Sequence, residues 1–263
     1  MSNQIPSTGY LLINKPLQWT SFDVIKKLRD ITGLKKIGHA GTLDPMAEGL
    51  LLCAVGKQAT RNIQALVKLD KKYEATIRLD QTSETYDKEG EISEIPVKSI
   101  PSKKQVEKIL RFFIGEIEQI PPAFSAKKIK GTPAYKLARK NKKIKFAPQK
   151  VMIYDIRLIN YQWPELQIKV HCGSGTYIRS LAHDIGEKLK LSSDFDKQEQ
   201  SAETLKQNVK KTNQDKGGLK TGGLLTRLVR THVQSISLNQ AIPIQNLTPE
   251  NWREHLFFLD QLI

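Results

Sequence analysis

The stretch Gly38-His39-Ala40-Gly41-Thr42-Leu43-Asp44-Pro45-Met46-Ala47-Glu48-Gly49 runs directly into Leu50-Leu51-Leu52-Cys53-Ala54-Val55. A glycine-punctuated loop here presents one short carboxylate and then feeds an unbroken apolar run, which spells a buried strand. Asp44 precedes a proline, so its backbone is pushed out of the α region, and Gly41 and Gly49 permit the dihedrals of a tight loop. Asp-Pro is also a common turn initiator. These residues alone therefore leave a presented carboxylate and a plain turn both open.

Upstream, Tyr10-Leu11-Leu12-Ile13-Asn14-Lys15-Pro16 reads as a strand closed by a proline turn. Lys15 at its end is a candidate phosphate or substrate contact, with a solvated strand-end lysine the competing reading. Thr20 with Asp23 three positions on forms a variant capping box. Val24, Ile25, Leu28 and Ile31 then recur at helical spacing up to Gly33, so residues 21 to 32 are expected to be an amphipathic helix.

Downstream, residues 71 to 79 alternate and place Tyr73, Ala75, Ile77 and Leu79 on one strand face. Tyr73 reads equally as a core aromatic or as a functional ring. The polar segment from Thr82 to Gly90 reads as a surface loop with no catalytic role. Residues 102 to 117 are expected to be helical, with Val106, Ile109, Leu110 and Phe113 on one stripe. Two alternating segments, 151–161 (Met152, Tyr154, Ile156 and Leu158 on one face) and 166–172, form a plausible hairpin about Gln162 to Glu165. A second glycine-rich turn, Gly173-Ser174-Gly175, leads into a helix expected to start near Thr176, which carries Tyr177 and Arg179 at an anion-favouring N-terminus. An arginine in a first helical turn opposes the macrodipole. That cost calls for a partner, and Asp44 is the candidate.

Charge is distributed unevenly. Of 263 residues, 42 are Lys or Arg and 27 are Asp or Glu, a formal net charge of +15. Such a balance points to a polyanionic partner, most often nucleic acid. From Ser125 to Lys150 there are ten Lys or Arg and no acid. A block like this repels itself, so it is expected to be mobile until a phosphate backbone orders it. Phe124, Tyr135 and Phe146 interleave with the charge, as suits RNA bases. Residues 191 to 220 contain eleven charged and only six apolar residues and read as a low-complexity insertion. No apolar run approaches the ~18 residues of a membrane span, and the N-terminus lacks a signal-peptide pattern. A cytoplasmic location and no membrane partner follow as expectations. Cys53 and Cys172 lie in apolar strand-like runs and read as buried thiols. The five histidines show no metal-ligand spacing.

Several of these motifs together resemble the TruB family, the bacterial tRNA pseudouridine-55 synthases. The loop from Gly38 to Gly49 matches its signature. Asn14-Lys15-Pro16, Trp19-Thr20-Ser21, Lys71-x-Tyr73, Pro121-Pro122-Ala123-Phe124-Ser125-Ala126, Ala134-Tyr135-x-x-Ala138-Arg139, Gly175-Thr176-Tyr177-Ile178-Arg179 and Leu228-Val229-Arg230-Thr231 follow in the family's order. The resemblance covers nearly the whole chain apart from residues 191 to 222. It implies an α+β pseudouridine synthase fold: a mixed, mostly antiparallel bent sheet flanked by helices, with a thumb-like basic insertion. The expected division is a catalytic domain over 1–240, with insertions at 125–150 and 191–222, and a short remnant over 241–263 in place of a full C-terminal RNA-binding domain.

The same resemblance implies the chemistry. Uridine in the T loop of tRNA, position 55, is flipped out and isomerised to pseudouridine without metal or redox cofactor. Asp44 is the implied catalytic nucleophile, Arg179 its partner, and Tyr73 the ring that stacks on the uracil. Tyr177 and Leu228 line the uracil pocket and His39 supports the distorted loop. Lys127, Lys128, Lys130 and Arg139 in the basic block, with Arg230 farther on, are the implied RNA contacts. The protein is expected to act as a monomer on the tRNA elbow. Thr82 to Gly90 also resembles the family's Thr-x-Thr-x-Asp-x-x-Gly, with Glu84 where aspartate is usual, and Glu48 and Val229 depart from the family pattern elsewhere. A non-catalytic RNA-binding module and an RNA glycosidase are the rival readings.

Overall fold

The computed structural model describes residues 8–97, 99–125, 127–129, 131–140, 146–192 and 222–262. Most of the 191–222 insertion therefore lies outside the described residues.

One ten-stranded sheet organises the chain. Its strands, in spatial order, are Ile242–Pro243, Gly9–Lys15, Ala47–Val55, Leu224–Val233, Lys71–Arg78, Glu165–Cys172, Gln149–Gln162 and Gly115–Gln119. Ile37–His39 adds to the edge of Ala47–Val55, and Ile236–Ser237 pairs back on Leu224–Val233. Only the pairings of Gly9–Lys15 with Ile242–Pro243 and of Leu224–Val233 with Ala47–Val55 are parallel within this sheet. The expected mixed, mostly antiparallel α+β sheet is what forms.

The apolar run after the Asp44 loop is unbroken because the strand is covered on both faces. Leu51 and Cys53 pack with the helices Ser21–Thr32 and Ile178–Ser192, whereas Leu50 and Leu52 join a second cluster with Leu66, Val233 and Leu262. A strand buried on both sides has no reason to alternate. Leu50, Leu51 and Leu52 are all 0% exposed, and burying each such side chain is worth roughly 1.5–3 kcal/mol. By contrast Lys71–Arg78 has one covered face and alternates as expected, with Tyr73, Ala75 and Ile77 inward.

The first helix spans Ser21–Thr32, capped by Thr20 with Asp23 and ended by Gly33 at φ 70°. The fourth helix is shorter than its stripe suggests. It runs Lys103–Phe112 behind a Ser102 cap, and the chain then turns at Gly115, φ 105°, into the edge strand Gly115–Gln119. The hairpin forms between Gln149–Gln162 and Glu165–Cys172, but its predicted face is wrong in the first half. Val151 and Ile153 point inward, while Met152 and Tyr154 are 37% and 51% exposed. A bulge between Ile153 and Asp155 inserts one residue and returns Ile156 to the core. Period-two reading carries no signal for that slip.

The basic block is partly regular: Lys128–Ile129 pairs with Thr132–Pro133, and Ala134–Ala138 is a short helix. Ala126, Lys130 and residues 141–145 lie outside the described residues. The segment after residue 240 is not peripheral. Ile244, Leu247 and Trp252, at 2%, 4% and 1% exposure, sit in the main core.

Candidate active site

The Asp44 loop is fixed from beneath. Leu43 and Met46 are 3% and 7% exposed and insert into the core. Ser21, at the start of the first helix, donates its hydroxyl to the Leu43 carbonyl at 3.1 Å and accepts the Leu43 N–H at 2.9 Å. The Ala47 N–H closes a turn on the Asp44 carbonyl at 3.0 Å. With both neighbours anchored, the Asp44 side chain is left at the rim, 35% exposed.

There it meets Arg179. The guanidinium donates from Nε to Oδ2 of Asp44 at 2.8 Å and from Nη2 to Oδ1 at 3.1 Å, a two-pronged pair across 135 residues of sequence. This fork geometry fixes orientation as well as distance. Two further donors are used: Nη1 donates to the Thr85 carbonyl and Nη2 to the Phe124 carbonyl, each at 2.9 Å. The Arg179 side chain is only 5% exposed. Burial works against its charge, but Asp44 and Asp87 outweigh that and hold the guanidinium above its ordinary range.

Asp87 is the residue that sequence reading missed. Thr82, Ser83, Thr85 and Asp87 are 5%, 5%, 7% and 1% exposed, so this segment is a buried support and not a surface loop. One Asp87 oxygen stands 3.4 Å from Nε of Arg179. The other accepts from the Thr85 hydroxyl at 2.6 Å and the Glu89 N–H at 3.0 Å. Burial raises the Asp87 pKa, against the opposing pull of the Thr85 hydrogen bond and the Arg179 charge. Turn-forming Ser, Thr and Asp residues look alike whether the turn is solvated or buried, so only an orphan inward cation could have exposed this role. Gln119 is a second such residue. Its amide accepts the Tyr177 N–H at 2.8 Å and donates to the Tyr177 carbonyl at 3.0 Å, just before the helix begins at Ile178.

Three sequence-predicted pocket residues surround the pair. Tyr73 is 9% exposed and near enough to Asp44 to feel its charge; burial raises its phenol pKa. Leu228, 5% exposed, lies between Ala47 and Ala75 in adjacent strands and packs in the same cluster as Leu43, Met46 and Tyr73. Tyr177 is partly exposed, and burial raises its pKa too. His39 ends the Ile37–His39 strand. Burial, then the charge of Arg230, lowers its pKa, so it is the neutral ring that is favoured near pH 7.

Two expected RNA or substrate contacts are overturned. Lys15 is 0% exposed and spends its ammonium on the carbonyls of Pro16 at 2.9 Å and Trp19 at 2.5 Å, with burial lowering its pKa to about 8. Arg230 is 1% exposed and faces the core, because alternation on its strand turns it inward with Leu228. Lys128 and Arg139 are exposed, while Lys127 is half-buried and donates to Gln149 at 2.9 Å; Lys130 lies outside the described residues. Arg139 lies 5.7 Å over the Tyr135 ring and Lys127 5.5 Å over Phe146. Glu48 turns away from the pair and bonds Arg227 at 2.9 Å. Cys53 and Cys172 are free and buried, the latter with its thiol pKa pushed up to about 12 by desolvation. Among the described residues no acid, His or Cys cluster suits a metal, and no helix is long and apolar enough to cross a membrane.

Comparison with known proteins identifies the family. Residues 29–178 match the TruB family pseudouridylate synthase N-terminal domain. A tRNA pseudouridine synthase B from Bacteroides fragilis is 40% identical over 240 residues, spanning 88% of this chain and 89% of that protein. The protein of the same name from Chlamydia muridarum is 43% identical over 184 residues, 70% of this chain and 76% of its own. Among solved structures, a Cbf5-Nop10-Gar1 complex contains a chain that superposes with a TM-score of 0.60 at 24% identity, covering 92% of this chain and 54% of that one. That likeness speaks for the fold. The sequence match over more than half the chain and the relatives at 40% identity or above establish that this chain belongs to the TruB family of pseudouridylate synthases.

Proposed function

We propose that the chain isomerises uridine to pseudouridine in tRNA, at the T-loop uridine of position 55. The observation that carries the reading is the Asp44–Arg179 fork: a rigid, partly open carboxylate set beside Tyr73, Tyr177 and Leu228. The glycosidic bond of a uridine in a folded loop is sheltered by stacking, so the base must be extruded before any group reaches it. The partly open Tyr177 ring offers a surface for the displaced base, with Tyr73 and Leu228 forming the floor; base–aromatic stacking is worth ~1–3 kcal/mol. Asp44 then acts at the ribose or the ring while the bond from C1′ to N1 breaks, the uracil turns, and a bond from C1′ to C5 forms. The C5 proton is lost and N1 gains one. Atoms and electrons balance within the substrate, so the reaction needs no external oxidant or reductant.

His39 at the loop's entrance and the basic residues Lys127, Lys128 and Arg139 suit the backbone of the T arm. A monomer acting in the cytoplasm, its catalytic domain including the segment after residue 240 that packs in the same core, completes the reading. The test is an unmodified tRNA transcript incubated with purified protein and no added cofactor, followed by carbodiimide labelling. Product at the T-loop uridine with unchanged RNA mass supports the reading. Loss of mass equal to uracil less one water would make the protein a glycosidase, and binding without product would make it a non-catalytic tRNA module.

The basic block makes a separate prediction. If its lysines and Arg139 neutralise several phosphates, tRNA affinity should fall linearly on a log–log salt plot, by about 10³-fold or more from 50 to 200 mM for some six contacts. Filter binding across that range measures the slope, and a flat response would remove the block from the interface.

A further inference from the structure

Arg230 is buried at 1% exposure, and among the described residues no carboxylate lies within ion-pair distance of it. Burying a guanidinium without an anion is costly, so its donors merit accounting. Nε donates to the Leu50 carbonyl at 2.6 Å and Nη2 to the Gly41 carbonyl at 3.1 Å. Gly41 and Leu50 bracket Asp44, one on each side. A single planar fork therefore bridges both ends of the loop that carries the carboxylate.

Its strand position does the same in the other direction. Arg230 is the register partner of Gly49 on one side and of Tyr73 on the other, and its charge lies close enough to the Tyr73 phenol to oppose the rise in its pKa caused by burial. Gly49 makes the approach possible: a Cβ there, where φ is 105°, would fall 2.5 Å from the Arg230 carbonyl oxygen. Arg179 fixes the carboxylate from above the cleft; Arg230 ties its loop and the Tyr73 strand together from below.

We infer that Arg230 is a positioning residue for the isomerisation: it locks the Gly41–Leu50 loop to Tyr73, so that the Asp44 carboxylate and the Tyr73 ring keep one relative placement. This rests on the function proposed above. Arg230 touches no substrate, and its removal should act on the chemical step and not on tRNA binding. Lysine keeps the charge but lacks the fork that reaches both carbonyls.

The experiment compares wild type, Arg230→Lys, Arg230→Met, Tyr73→Phe and the Arg230→Lys/Tyr73→Phe double variant on a tRNA transcript. Single-turnover rate, tRNA Kd and thermal melting are read for each. The expected result for Arg230→Lys is a folded protein with tRNA Kd within a few-fold of wild type and a rate about 10²-fold lower, the scale of an ångström-level misplacement. In the Tyr73→Phe background the same change should cost less, because the two residues are register neighbours on paired strands and the Arg230 charge acts on the Tyr73 phenol. A rate for Arg230→Lys within about threefold of wild type, or a loss carried by Kd, overturns the inference, as does a fully additive double variant. If Arg230→Met fails to fold, the lysine variant and the cycle still decide. Absence of product with wild type instead overturns the function itself, and so is separable from failure of this inference.

Discussion

Asp44→Asn should abolish pseudouridine formation while leaving tRNA binding and the fold in place. The substitution keeps the size of the side chain and one carbonyl-type acceptor, so Arg179 retains a partner through Asp87 and the carbonyls of Thr85 and Phe124. What is lost is the carboxylate that the Arg179 fork holds at the rim: the Asp44 side chain is 35% exposed, whereas that of Asp87 is 2%. A group acting as nucleophile or base has no substitute in an amide, and removing such a role typically costs 10²–10⁴-fold. We expect a drop of about 10³-fold or more in single-turnover rate, with tRNA Kd and melting temperature close to wild type. A variant that retained a tenth of the rate would place the chemistry elsewhere.

The second large effect is expected at Asp87. Asp87→Ala removes a buried counter-ion of Arg179 and also the acceptor that closes the turn onto Thr85 and Glu89. Breaking a buried pair by deleting one partner costs about 3–5 kcal/mol when the other charge is left uncompensated. Asp44 remains to Arg179, so roughly half of that is the expected loss of stability. Asp87→Asn keeps an acceptor for the turn but not the charge. It should melt nearer to wild type and still turn over about 10²-fold more slowly, because Arg179 then holds Asp44 less firmly in place. Chemical denaturation of both variants, with single-turnover assays alongside, separates the two contributions. Wild-type rates in Asp87→Asn would reduce Asp87 to a folding residue.

How much of this was legible in the chain depends on the range of the interaction. The first helix was readable to the residue because its signals are local: Thr20 and Asp23 cap it, four apolar side chains recur at helical spacing, and Gly33 stops it. The fourth helix was overrun because its stripe continues to Phe113 while the break comes from Gly115. Asp44 and Arg179 were legible as separate anomalies, a carboxylate held before a proline and an arginine at the wrong end of a dipole. Their contact across 135 residues is a tertiary fact.

Lys15 and Arg230 show the limit. Sequence reading treats a lysine at a strand end and an arginine such as Arg230 as surface charge, since those side chains are rarely buried. Here carbonyl groups brought together from distant turns solvate both cations in the interior. Asp87 is hidden for the same reason, in a turn whose residue types are identical whether water or an arginine lies beneath it.

The sequence by itself determined the elements that local spacing encodes, the doubly covered strand after Asp44, the basic block and the family whose motifs recur in order. Only the tertiary structure decided which charges stay at the surface and which face inward, that Asp87 and Gln119 brace the site, and that Arg230 spans the loop. Periodicity and capping act within a few residues, whereas the partner of a buried charge is chosen by where the sheet register brings distant carbonyls and carboxylates together.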